Sequence, residues 1–215
     1  MELSKMLRIQ NSLRKKLDLR FSENKCHYVA GCDVAYVGDH AVSCLVVVKI
    51  PEFVIVETSF HSETISFPYI PGFLAFREGK LMIDAIKKIR CSPDVFIVDG
   101  HGIAHPERMG LASYIGVYIN KPVIGCAKSL LTGKYKIPGN YKGDYTFIID
   151  DEKIIGAAVR TRPDAKVVFV SPGNKIDLEN SIKIVLACTG KFRLPQPLRI
   201  AHMLANKKAK TFQIL

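Results

Sequence analysis

Three runs of strand-favouring residues, 28–37, 41–49 and 53–60, follow one another with only Gly38-Asp39 and Ile50-Pro51-Glu52 between them. Connections this short suit hairpins, so the three runs predict an antiparallel meander. The pattern then changes. Residues 73–90 have a helical period, 95–98 form a short and wholly apolar run, a helix is predicted over 106–120, and 123–127 is again apolar throughout. Strand patterns recur at 146–149, 154–159 and 167–170, and helices are predicted over 178–189 and 197–208. A meander followed by helix–strand–helix–strand predicts an α/β fold: a mixed sheet of antiparallel and parallel strands, flanked by helices. No repeat, low-complexity tract or linker interrupts the chain, which predicts a single domain over 1–215.

Lys and Arg number 31 against 20 Asp and Glu, a net charge of +11. That surplus favours a polyanionic partner, nucleic acid before membrane. The six cysteines are scattered with no C-x-x-C pair, which argues against a zinc site or a disulfide framework and for a reducing, cytoplasmic setting. Residues 1–20 read as a basic amphipathic helix with Leu3, Met6, Leu7, Leu13 and Leu17 on its apolar side. It has no continuous apolar core, so neither a signal peptide nor a membrane span is predicted.

Three carboxylates break the apolar pattern. Asp33 stands inside the otherwise uncharged strand 28–37, where it needs a cation or strong donors; a lone buried ion pair would also satisfy it. Asp99 ends the apolar run 95–98, at the carboxyl end of a strand where α/β folds bind ligands; an aspartate there can equally cap a turn. Glu78 shares the apolar phase of its helix with Leu74, Leu81, Met82, Ala85 and Ile89, which turns it toward the sheet unless it reaches back to solvent. Oxygen ligands without a Cys or His cluster select Mg²⁺ or Mn²⁺ over Zn²⁺, and such an ion suits phosphodiester hydrolysis. With the positive charge, a metal-dependent nuclease is the leading expectation; a basic nucleic-acid-binding protein without activity is the rival. Lys128, after an apolar strand, could meet a phosphate, and His202 could move a proton or orient water. Each is weak alone, since a strand-end lysine or a helical histidine is commonly plain surface.

Beside Glu78 lies Phe67-Pro-Tyr-Ile-Pro-Gly72. Pro68 and Pro71 bracket Tyr69-Ile70 and hold the segment extended, so Tyr69 is expected to project as a stiff tip.

This segment with Phe76-Arg-Glu78, then Val98-Asp-Gly-His-Gly-Ile-Ala-His-Pro106, then Gly125-Cys-Ala-Lys-Ser129, resembles the endonuclease V family, the deoxyinosine 3′-endonucleases. The resemblance runs from about Tyr28 to the last helix and includes Gly110-Leu-Ala-Ser113 and Ser171-Pro-Gly173. It implies a ribonuclease H-like fold and Mg²⁺, with Mn²⁺ as a substitute, at Asp33, Asp99 and Glu78. The implied catalytic set is Asp33, Glu78, Asp99, Lys128 and His202. Pro68, Tyr69, Ile70 and Pro71 match the wedge that enters a duplex, and Gly72, Gly100, Gly102 and His105 match the surroundings of the extruded base. The implied substrate is DNA containing deoxyinosine, or inosine-containing RNA, cut by a monomer at the second phosphodiester bond 3′ to the lesion. The chain departs from the family pattern at Glu107, Tyr114 and Asn174, where Arg, His and His are frequent.

Overall fold

The computed structural model describes residues 2–22 and 26–213. Strands β1 (Tyr28–Val37), β2 (His40–Lys49) and β3 (Val54–Thr64) form the expected meander, with Tyr28 opposite Lys49 and Val37 opposite His40. β3 runs past the expected Phe60, because β2 still offers it partners as far as His40 opposite Thr64. Helix α2 (Leu74–Ile86) returns the chain to β4 (Val95–Val98), which pairs parallel with β1. Helix α3 (Leu111–Ile119) leads to β5 (Val123–Ala127), parallel to β4. Strands β6 (Tyr145–Asp150), β7 (Lys153–Val159) and β8 (Val168–Asn174) form a second antiparallel group, which joins the sheet through β8 against β5. The eight strands lie in the order β3-β2-β1-β4-β5-β8-β7-β6.

The wholly apolar strands are explained by cover on both faces. Cys32, Leu45, Val47, Phe96 and Val98 pack toward α2 and α3, with Met82 and Ile115 among their partners. Val29, Cys44, Val46, Ile97 and Cys126 pack toward α4 (Leu178–Ala187) and α5 (Gln196–Lys210), meeting Val185, Leu198 and Ala201. Among the described residues the cysteines form no disulfide, and no helix is long and apolar enough to cross a membrane.

Three expected helices are clearly shorter: α2 stops at Ile86, four residues before Arg90, and the other two have traceable causes. The amino-terminal helix α1 (Leu3–Arg14) stops six residues before Arg20, and Met1 lies outside the described residues. Asp18 is drawn away to the end of β8, where its N–H donates to Asn174 Oδ1 at 3.2 Å and its carbonyl accepts from Lys175 N. The second is α3, which starts at Leu111 and not at Pro106. Residues 106–110 form a turn held by Arg108 N to His105 O (2.8 Å) and Gly110 N to Gly102 O (3.0 Å). His105-Pro106 therefore stands in a loop rather than at a helix terminus.

Candidate active site

Strands β1 and β4 run parallel with Cys32 opposite Val98, so the next residue on each, Asp33 and Asp99, stands beside the other. Asp99 N donates to Cys32 O at 3.2 Å and fixes that register past the end of β4. The following strand does the same for Lys128, which leaves β5 beside Asp99 and bonds through Nζ to Asp99 Oδ2. From the opposite layer, α5 brings His202 Nδ1 to 2.5 Å from Asp33 Oδ2. This closeness depends on Gly31: a Cβ there would lie 2.2 Å from the carbonyl carbon of Pro197, so only glycine lets α5 rest on β1.

Asp33 is 6% exposed. Burial, and then the charge of Asp99, push its carboxyl above the usual range, against the pull of His202 and Lys128. Burial works to lower the pKa of Lys128, but the charge and hydrogen bond of Asp99 outweigh it and hold the ammonium raised. Two adjacent carboxylates with incomplete compensation are a site that a further cation would relieve. Asp33, Asp99 and His202 each offer one ligand atom, all within 4.8 Å of one another. The two carboxylates are the donors that suit a hard divalent cation, and the imidazole stands beside them as a softer group.

Glu78 does turn toward the sheet, but on the α2 side of β1, with the even-numbered residues of that strand. Its Oε1 accepts from Tyr36 OH at 2.8 Å, and it stands outside the three-residue cluster. Burial raises its pKa to about 7; the Tyr36 hydrogen bond opposes this, while the charges of Asp33 and Asp99 add to it. Arg77, the preceding residue of α2, donates through Nε to Tyr36 OH at 3.1 Å and through its NH1 group to Phe67 O, and its guanidinium lies 4.6 Å over the Tyr36 ring. The foot of the proline-bracketed tip is thus tied to the same tyrosine that holds Glu78.

At the tip, Tyr69 is 64% exposed, Pro68 and Pro71 are exposed, and Ile70 is half-buried. Between Tyr69 and Asp99 lies a cleft of about 270 Å³, bordered by Gly72, Gly100, His101, His105 and Lys128. Gly102 does not border it; its N–H donates to Ser171 Oγ at 2.8 Å beneath the loop. His105 accepts from Glu107 N at Nδ1 (3.1 Å), so its Nε2 carries the proton and donates to Gly72 O at 2.9 Å.

With this geometry in view, the comparisons decide the family. The endonuclease V family model matches residues 11–203. The chain belongs to the endonuclease V family. Endonuclease V of Dictyoglomus thermophilum is 41% identical over 208 residues, covering 97% of this chain and 91% of that protein. The crystal structure of the Bacillus subtilis endonuclease V superposes with a TM-score of 0.95 at 34% identity, covering 99% of this chain and 94% of that one. Ciona intestinalis endonuclease V, in complex with a 24mer DNA containing an inosine followed by a ribo-adenosine, gives 0.86 at 33% identity, covering 98% of each chain. The fold is ribonuclease H-like, as the motifs implied, and the chain is a nuclease.

The three departures from the family pattern have structural partners. Tyr114 fills the space over Gly79, where an added Cβ would lie 2.6 Å from its ring, and it lies between Phe76 and Tyr118, tilted against both rings. Asn174 is buried and donates to Gly116 O at 2.9 Å. Glu107 contributes its backbone to His105, while Arg108 pairs with Asp150 at 2.7 Å. Sequence reasoning passed over Tyr36 and Gln10. Gln10 is fully buried and donates to Gly72 O (3.0 Å) and Met109 O (3.3 Å), two carbonyls on the rim of the cleft. A signal existed: Gln10 is a polar residue in the apolar phase of α1, four residues after Met6 and three before Leu13.

Proposed function

We propose that this chain is a Mg²⁺-dependent DNA-repair endonuclease that recognises deoxyinosine and hydrolyses the second phosphodiester bond 3′ to it, leaving 3′-hydroxyl and 5′-phosphate ends. The observation that carries this reading is the pairing of Asp33 and Asp99 on adjacent parallel strands, with a cleft beside them that Tyr69 closes. Asp33 and Asp99 would hold Mg²⁺, with Glu78 completing the acidic set from the other side of β1 and His202 beside the two aspartates. A bound divalent ion supplies an activated water and neutralises charge on the leaving oxygen.

The chain's own groups do the rest. Tyr69, stiffened by Pro68 and Pro71, enters the duplex at the lesion, and the extruded hypoxanthine is received between Gly72, Gly100 and His105. A mispaired base costs least to flip, which contributes to selection. The Lys128 ammonium faces the scissile phosphate from beside Asp99, and His202, 46% exposed, moves a proton through Nε2, which contacts Asn206 Nδ2 at 3.4 Å. The protein acts as a cytoplasmic monomer, with DNA as partner and no membrane.

The test is an end-labelled duplex with one deoxyinosine, incubated with Mg²⁺ or with chelator. The expected result is a single Mg²⁺-dependent nick at the second bond 3′ to the lesion; equal cutting of undamaged DNA, or undiminished cutting in chelator, would overturn the reading. Inosine-containing RNA is a second reading, favoured by the ribo-adenosine that follows the inosine in the Ciona complex. Matched substrates that differ only in the 2′-hydroxyl separate the two.

A further inference from the structure

Lys128, Ser129 and Leu130 form a wall with two sides. One side borders the cleft beside Asp99; the other borders a second cleft of about 400 Å³, with Tyr135, Ile137, Arg160, Lys166, Phe169 and Arg193 around it. Its lining includes no carboxylate and four cationic side chains, of which Lys128 is already paired with Asp99, while Arg160, Lys166 and Arg193 are not paired with an acid among the described residues. Arg160 spends its donors on the carbonyls of Pro138, Gly139 and Ala165. Arg193 donates through one terminal nitrogen to Lys128 O (2.8 Å) and Val167 O (2.6 Å), while its Nε is buried with no hydrogen-bond partner among the described residues. Carbonyl oxygens orient a guanidinium but do not neutralise it, so the cleft keeps its positive charge. Lys166 stands exposed at the rim. The opposite wall is apolar: Tyr135 meets Phe169 edge to face at 5.3 Å, and Ile137 is 81% exposed.

Uncompensated cations beside a half-buried tyrosine ring and an exposed aliphatic side chain suit single-stranded nucleic acid, with phosphates on the charges and a base against the ring. The position matters as much as the chemistry. A strand with its base in the first cleft and a phosphate at Asp99 and Lys128 must cross the wall, and the second cleft lies on the far side. We infer that this second cleft binds the substrate strand beyond the scissile bond, on the side away from the lesion, with Lys166 and Arg193 toward its phosphates and Tyr135 toward a base. Arg193 serves this flank and also steadies the wall, through Lys128 O. The inference rests on the nuclease reading above.

The experiment combines two changes: Lys166→Glu, and deoxyinosine oligonucleotides whose flank beyond the cut is shortened from ten nucleotides to one. With the long flank, Lys166→Glu is expected to lower kcat/KM about tenfold, mainly through KM, and to reduce the salt slope of binding by about one. Shortening the flank is expected to cost the wild type a similar factor, and the two losses do not add when combined. Tyr135→Leu provides a second variant that keeps an apolar side chain but removes the ring, and its loss should likewise shrink on the short flank. Fully additive losses, or a Lys166→Glu enzyme equal to wild type on the long flank, would overturn the inference. Should the wild type cut no deoxyinosine substrate at all, the nuclease reading fails separately. The cleft is then judged by anisotropy of a labelled single-stranded oligonucleotide: binding weakened by Lys166→Glu supports it, and unchanged binding overturns it.

Discussion

Asp33 sets a burial cost to the fold against the role proposed for it in the chemistry. Its carboxyl is buried beside another carboxylate, and its raised pKa means that folding disfavours the ionised form. Asp33→Asn is therefore expected to move the urea midpoint measured in chelator at pH 7 upward and, assayed with Mg²⁺, to lower cleavage about 100-fold or more. A lower midpoint would mean that the His202 contact outweighs the burial cost. Gln10 makes a second case at this scale. Its amide and the His105 imidazole both donate to the Gly72 carbonyl at the base of the tip. Gln10→Met keeps the length and removes the donor, so inosine-over-adenine selectivity is expected to fall several-fold with kcat on a good substrate nearly unchanged. Gln10→Glu should not restore it, because a carboxylate has no N–H to give. Equal losses in selectivity and kcat would indicate general destabilisation instead. Asp33 and Asp99 were legible in the sequence because charge inside an apolar run demands a reason. The inward phase of Gln10 was legible, but its role and that of Tyr36 were not, because each acts through a partner more than twenty-five positions away in the chain, and one sequence carries no record of pairing.

Among the elements, the end of α2 and the edge strand β3 are joined by one carboxylate. Glu57 on β3 accepts from the backbone N–H groups of Cys91 (2.8 Å) and Arg90 (2.9 Å) just beyond the helix. Those two hydrogen bonds, that to Cys91 first, hold its pKa below the usual 4.5. A depressed carboxyl pKa stabilises the fold above the unfolded pKa, and the contribution is lost as pH falls through the folded value. The gap in urea midpoint between wild type and Glu57→Gln should thus be constant from pH 8 to 6 and narrow below about pH 4.5. A gap independent of pH would assign the effect to shape rather than charge. Element boundaries were the less legible part of the fold. The meander and the two parallel strands follow from apolar runs and turn residues. By contrast, the end of α1 depends on Asp18 reaching Asn174, and the start of α3 on the loop folding back from Arg108 to His105. Neither tie leaves a local pattern.

For the molecule as a whole, the charge of +11 sets how it meets a polyanion. Binding of duplex DNA should weaken steeply with salt, log affinity falling linearly with log salt, and a substantial part of that slope should persist on undamaged DNA. The preference for deoxyinosine should then change little between low and moderate salt, since base and backbone contacts are separate. A selectivity that collapsed with salt would argue that discrimination, too, is electrostatic.

The resting of α5 on Gly31 has a consequence for the time at which this nuclease comes into being. During synthesis β1 and its Asp33 leave the ribosome early, while His202 follows some 169 residues later. Until the last long helix docks, the two strand carboxylates lack the imidazole beside them. On the roles proposed above, the centre is completed last, by the same contact that seats α5 on β1, so a chain that stalls or is cut short before α5 is expected to be inactive.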